Sequence, residues 1–145
     1  MTCGFVYREF MLARQSDNLS GTIHEQLRRW KRIVNNWENA GRAGDTLVLG
    51  DLNLNFVDWD NNLGVNKKLI EEVNDKIVTI GFTQTVDKVT HRGRTSDSLI
   101  DHSWTNCHRR VIETTTELQT ASDHDLIVTR MRSKKLELTA ILNNI

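Results

Sequence analysis

The chain has no proline in its 145 residues, two cysteines, a single tyrosine and no formal net charge. Each shortage narrows the reading. Without proline, turns fall to glycine and asparagine. Cys3 and Cys107 cannot build a disulfide framework and no metal-type spacing links them, so a reduced, intracellular setting is the default. A sequence pI near 7.0 argues against a strong non-specific polyanion binder, though a local basic strip around a cleft remains compatible with it. No apolar run approaches the ~18 residues needed to span a bilayer, so no membrane partner is expected. The N-terminus lacks a signal pattern. Asn18-Leu-Ser20 fits a glycosylation sequon, but without such a signal it reads as chance.

What is present suits one globular domain. The chain is 38% hydrophobic with four tryptophans, enough for a real core, and its 26% charged residues are typical of soluble proteins. Residues 3–8 read as a strand and 9–21 as a loop. Thr22 and Glu25 form a candidate capping box. The helix that follows carries Ile23, Leu27, Trp30, Val34 and Trp37 on one face and runs to about Ala40, with Gly41 as its stop. Residues 46–50 form a buried strand, and 55–64 a polar loop. A second helix spans about 65–80, with Leu69, Val73, Ile77 and Ile80 inward and Gly81 as the stop. Short strands are expected at 82–86, 98–105, 111–118 and 125–132, with a basic loop at 88–95. The tail from Ser133 has a weak helical pattern. Helices alternating with strands, followed by several strands in succession, give an α/β layered domain with helices packed on one face of a mixed sheet.

Three stretches carry chemistry. In Leu47-Val-Leu-Gly-Asp-Leu-Asn53, an apolar run ends at Gly50 and then presents Asp51 and Asn53. Two residues apart on a strand, they would project together, a base beside an amide suited to a charged oxygen. The plain alternative is a polar turn closing a strand. A calcium loop is rejected, because its sixth and twelfth positions hold Phe56 and Asn62 rather than Gly and Glu. Ser122-Asp-His124 sets a carboxylate beside an imidazole just before an apolar strand, aiming both at a sheet edge; surface polarity is the plain reading. Asp101 follows an apolar pair in a strand, where a carboxylate needs a partner. That partner is either a structural ion pair or the imidazole of His124, which Asp101 would orient while raising its pKa. Tyr7 is a core aromatic or a phenol reaching a phosphate oxygen. The basic loop Lys88…His91-Arg-Gly-Arg94 and His108-Arg-Arg110 are solvated charge or grip a phosphodiester backbone.

The order of these stretches is more specific than any one of them. Tyr7, Gly50-Asp-Leu-Asn53, Ser98-Leu-Ile-Asp101 and Ser122-Asp-His124 together resemble the endonuclease/exonuclease/phosphatase superfamily. Val6-Tyr-Arg-Glu9, Arg29-Trp30, Gly81-Phe-Thr83 and Trp104-Thr-Asn106 add a resemblance to the apurinic-like endonuclease domain of LINE-class (non-LTR) retrotransposons. The resemblance covers nearly all of residues 4–132, leaving 133–145 as a C-terminal tail. It implies a four-layer α/β sandwich that cuts DNA with Mg²⁺ or Mn²⁺. By position, Asp51 would orient or deprotonate the attacking water, Asn53 and Tyr7 would contact the scissile phosphate, His124 supported by Asp101 would stabilise its charge, and Asp123 would help hold the metal.

The family also has an earlier stretch supplying an Asn and a metal-binding Glu, and the sequence begins after it. The expectation is therefore an N-terminally truncated domain, the C-terminal portion of the sandwich and roughly three-fifths of it by domain size. Such a portion would bind metal weakly, cut poorly, and expose an apolar sheet face prone to self-association. The alternative function is a catalytically inactive fragment serving as a nucleic-acid-binding or protein-interaction module. A phosphoesterase acting on small molecules or lipids is a third reading. A functional endonuclease of this kind would work in the nucleus.

Overall fold

The computed structural model describes residues 2–5, 19–55, 65–94 and 97–133, with the backbone alone at 2–5, 19–23 and 65–66. Tyr7, Glu9, the loop carrying Asp58 and Asp60, and the tail beyond 133 lie outside the described residues. In chain order the elements are β1 (Thr2–Phe5), α1 (Leu19–Ala43), β2 (Thr46–Asp51), α2 (Val65–Thr79), β3 (Thr83–Gln84), β4 (His91–Arg92), β5 (Asp97–Ser98), β6 (Asp101–Thr105), a 3₁₀ turn (His108–Arg110), β7 (Val111–Glu117) and β8 (Leu126–Met131).

The central sheet has the order β1-β2-β6-β3. β1 runs parallel to β2, whereas β6 is antiparallel to both β2 and β3, so the sheet is mixed. Side chains alternate across it. Val48 and its cross-strand partner Trp104 face the helices and join one core with Trp30, Trp37, Val73 and Ile77. The Trp37 ring lies 5.8 Å from Phe82 and 6.5 Å from Trp104. The opposite sheet face carries Leu47, Leu49 and Asp51 beside Thr105, Ser103 and Asp101, their register partners. Leu47, Ser103 and Thr105 are buried there, and the Oγ of Ser103 lies 3.0 Å from Thr129 Oγ1, tying the β7–β8 hairpin to this side. This face is thus less open than the sequence led us to expect. Among the described residues, no helix is long and apolar enough to cross a membrane.

Trp30, Val34 and Trp37 on α1 and Leu69, Val73 and Ile77 on α2 are buried as the spacing predicts, but the ends of α1 differ. α1 begins at Leu19, so Thr22 lies inside its first turn and does not precede it as a cap. It also continues past Gly41. A Cβ at Gly41 would lie 3.1 Å from the Phe82 ring and 3.1 Å from Asn106 Nδ2, so this glycine permits close packing and does not stop the helix. The stop is Gly44, with φ 155°. Asn106 completes it, its amide donating to the carbonyls of Gly41 at 3.2 Å and Gly44 at 3.1 Å, carbonyls that no further helical turn would satisfy. Gly81 ends α2 as expected, with φ 85°.

The strand expected at 98–105 is broken. Its middle backbone groups bond outside any ladder: Leu99 N–H donates to Asn55 Oδ1, those of Ile100 and Asp101 donate to Thr90 Oγ1, and Ile100 O accepts from Leu52. β5 instead pairs with β4, which lies inside the expected basic loop. The strand expected at 82–86 shortens to β3.

Candidate active site

The site forms where β2 ends and β6 begins. Asp51 and Asp101 are direct register partners on these antiparallel strands, which puts both carboxylates on one face. His124 joins them from a third segment, its Nδ1–H donating to Asp101 Oδ2 at 2.8 Å. Side-chain ligand atoms of Asp51, Asp101 and His124 all lie within 4.8 Å of one another.

Short-range bonds fix each member. Asp51 Oδ1 accepts the Asn53 N–H at 2.8 Å. Asn53 takes a left-handed backbone with φ 50°, a conformation Asn tolerates better than most residues. The strand ends at Asp51, so the two-residue alternation expected to align Asp51 with Asn53 does not reach Asn53; the turn sets its direction instead. Ser122 Oγ accepts the His124 N–H at 3.0 Å. On either side of His124, Arg92 N–H donates to Asp123 O and Asp125 N–H donates to Thr90 O, so residues 90–92 clamp the 123–125 segment like a ladder strand. Buried Asp125 also accepts from Arg92 Nη2 at 3.1 Å. Thr90 therefore holds two site segments at once: its carbonyl holds Asp125 and its hydroxyl oxygen the backbone of Asp101.

Electrostatics follow from this geometry. Burial raises the Asp51 pKa above the ordinary carboxylate value and the Asp101 charge adds to the rise, while the Asn53 N–H and the imidazoles of His124 and His91 oppose it. For His124, partial burial works against the imidazolium, but the bond to Asp101 and the charges of Asp101, Asp51 and Asp123 outweigh it and the pKa is raised. The result is a carboxyl less willing to ionise beside an imidazolium less willing to lose its proton, and such paired shifts cluster at functional sites.

Two histidines were not singled out by sequence reasoning. His91 lies in the basic loop expected to be solvated charge or to grip a phosphodiester backbone; its ring instead stands edge-on to His124 with centroids 4.8 Å apart, and its Nε2 is 3.4 Å from Asp123 Oδ2. Asp123 itself is largely exposed and groups with His91 and His124. His102 is buried on the helix side. Its Nε2–H donates to Leu54 O at 2.9 Å, so the neutral ring's Nδ1 accepts from Gln84 Nε2 at 2.9 Å and Trp104 Nε1 at 3.3 Å. Burial lowers its pKa to about 4 despite backbone bonds at Leu54 and Leu99 that oppose the fall. It anchors the turn that follows Asp51 and takes no part in the polar cluster.

A mixed sheet with helices on one face thus carries an Asp–Asp–His cluster at the edge where β2 ends and β6 begins. Residues 12–128 match the endonuclease-reverse transcriptase family, and the chain belongs to it. Among solved structures it is similar to the endonuclease domain of TRAS1, a telomere-specific non-LTR retrotransposon, with TM-score 0.52 and 14% identity over 85% of this chain and 56% of that one. It is also similar to an endonuclease/exonuclease/phosphatase family protein from Leptotrichia buccalis C-1013-b, with TM-score 0.45 and 16% identity over 62% of this chain and 37% of that one. The chain thus spans little more than half the length of the TRAS1 domain, with which it shares a fold. No curated protein matches it.

Proposed function

We propose that the chain hydrolyses phosphodiester bonds in DNA with the help of a divalent cation. The observation that carries this reading is the Asp101–His124 bond beside Asp51 on adjacent strand ends. In this scheme the Asp51 carboxylate accepts the proton of the attacking water. The His124 imidazolium faces the charge that develops on the phosphate, and Asp101 fixes its ring and keeps it protonated. Asn53, held in the turn beside Asp51, offers an amide to the same oxygens, and Tyr7 is assigned to the phosphate by family resemblance alone.

The donor chemistry fits a hard cation. Asp51 and Asp101 bring two carboxylates together at a partly buried place, where positive charge offsets their repulsion, and Asp123 adds an exposed carboxylate beside His124. Asp123 would hold Mg²⁺ or Mn²⁺, which when bound supplies Lewis-acid stabilisation of the phosphate charge.

The test is nicking of supercoiled plasmid in Mg²⁺ by the native chain, Asp51→Ala and His124→Ala. Loss of a general acid or base lowers the rate by roughly 10²–10⁴-fold. Nicking that survives Asp51→Ala refutes the reading. Salt-sensitive DNA binding by a folded native chain that never nicks replaces it with the binding-module reading.

A further inference from the structure

The pair His91–Asp123 belongs to a cluster whose donor set differs from the carboxylate pair. One ring nitrogen of His91, one of His124 and a carboxylate oxygen of Asp123 lie within 4.8 Å of one another. Two imidazoles and one carboxylate are the donors that borderline cations such as zinc prefer, whereas magnesium prefers oxygen alone.

Three further features match a built site. His91 Nε2 and Asp123 Oδ2 are 3.4 Å apart. Two ligands on one tetrahedral zinc, each about 2.1 Å from it, stand about 3.4 Å from each other. Each imidazole is also held at its far nitrogen: His124 Nδ1 by Asp101 at 2.8 Å and His91 Nδ1 by Ser98 Oγ at 3.2 Å. Metal-binding histidines have such partners, which orient the ring and leave Nε2 for the ion. Finally, the backbones are locked together, since His91 and His124 form a β-bridge. Asp123 is exposed, so an ion can enter and solvent can fill a fourth position.

We propose that His91, Asp123 and His124 form a three-ligand site for a zinc-type divalent cation, with water as the fourth ligand. Because Asp123 and His124 are shared with the phosphodiester site, zinc here removes both from that chemistry; this consequence alone rests on the nuclease reading.

Cobalt(II) titration of the full chain tests the site without reference to cleavage. The native chain is expected to develop the visible absorption of tetrahedral cobalt at one equivalent and to lose it when zinc is added. Ser98→Ala should weaken binding roughly 10-fold or more while leaving all three ligands in place. His91→Ala should abolish the spectrum, whereas His108→Ala, on the exposed 3₁₀ turn, should not change it. Circular dichroism of each variant shows that the fold persists. Octahedral cobalt only, or a tetrahedral spectrum unchanged in both His91→Ala and Ser98→Ala, overturns the proposal.

Discussion

Replacing Thr90 by valine should destabilise the protein more than replacing it by serine, against the order hydrophobicity alone would give. Thr90 is completely buried, and its Oγ1 accepts two backbone bonds, from Ile100 at 3.2 Å and Asp101 at 3.0 Å. Valine keeps the shape of threonine and preserves the main-chain bonds from Thr90 N–H to Ser98 O and from Asp125 N–H to Thr90 O. It removes the only hydroxyl, leaving two N–H groups without this acceptor, at about 1–3 kcal/mol each. The extra buried methyl returns about 0.8 kcal/mol, so the net loss is about 1–5 kcal/mol. Serine keeps the acceptor and loses one methyl, at about 1 kcal/mol. Urea denaturation of the three proteins at one pH gives the comparison. Valine should lower the midpoint most, and its amides at 100 and 101 should exchange faster with solvent. A Thr90→Val protein as stable as Thr90→Ser would refute the claim that this hydroxyl supports the strand break beneath the site.

Asp51 is expected to trade stability for function. Its raised pKa means that the folded state favours the protonated carboxyl, so the ionised group weakens the fold at neutral pH; Asp51→Asn should raise the melting temperature while abolishing nicking. His102 acts with the opposite sign. Its folded pKa of about 4 lies below the unfolded value of 6.5, so its share of stability is intact above pH 6.5 and is lost as pH falls through the window down to 4. That loss is on the order of 3 kcal/mol, and denaturation curves for His102→Gln should show a shallower decline over the same window. For His124, Asp101→Asn should lower the pKa, as read from its ring-proton shifts in an NMR titration. The stability that His124 contributes is present below its unfolded pKa and fades as pH rises through the higher folded one, and this fading should vanish in Asp101→Asn.

Strong periodicity and unfavourable burial made part of this legible in the sequence. Trp30, Val34 and Trp37 could face only one way on a helix, and they do. A carboxylate at Asp101 after Leu99-Ile100 required a partner, and His124 is that partner. The roles of these residues in cleavage rest on the proposal above. What escaped was set by contacts between distant segments. Nothing local marks Gly41 as internal, because the constraint comes from the Phe82 ring and Asn106. The two-residue strands β4 and β5 are too short to show an alternating pattern, so nothing local distinguishes His91 from the basic residues around it. The register that sets Asp51 against Asp101 belongs to the β2–β6 pairing and to neither strand by itself.

That pairing also bears on how the protein comes to be folded. Asp51 and Asp101 stand about fifty positions apart along the chain, and His124 arrives from further still. Contacts of such separation are slow to form, because the entropy of closing the intervening chain must be met before any of them stabilises the structure. No helix, hairpin or short peptide excised from this protein can contain the cluster. The cluster and the sheet that carries it should therefore appear in one kinetic step, and conditions that loosen β2 from β6 should disperse the three side chains before either helix melts.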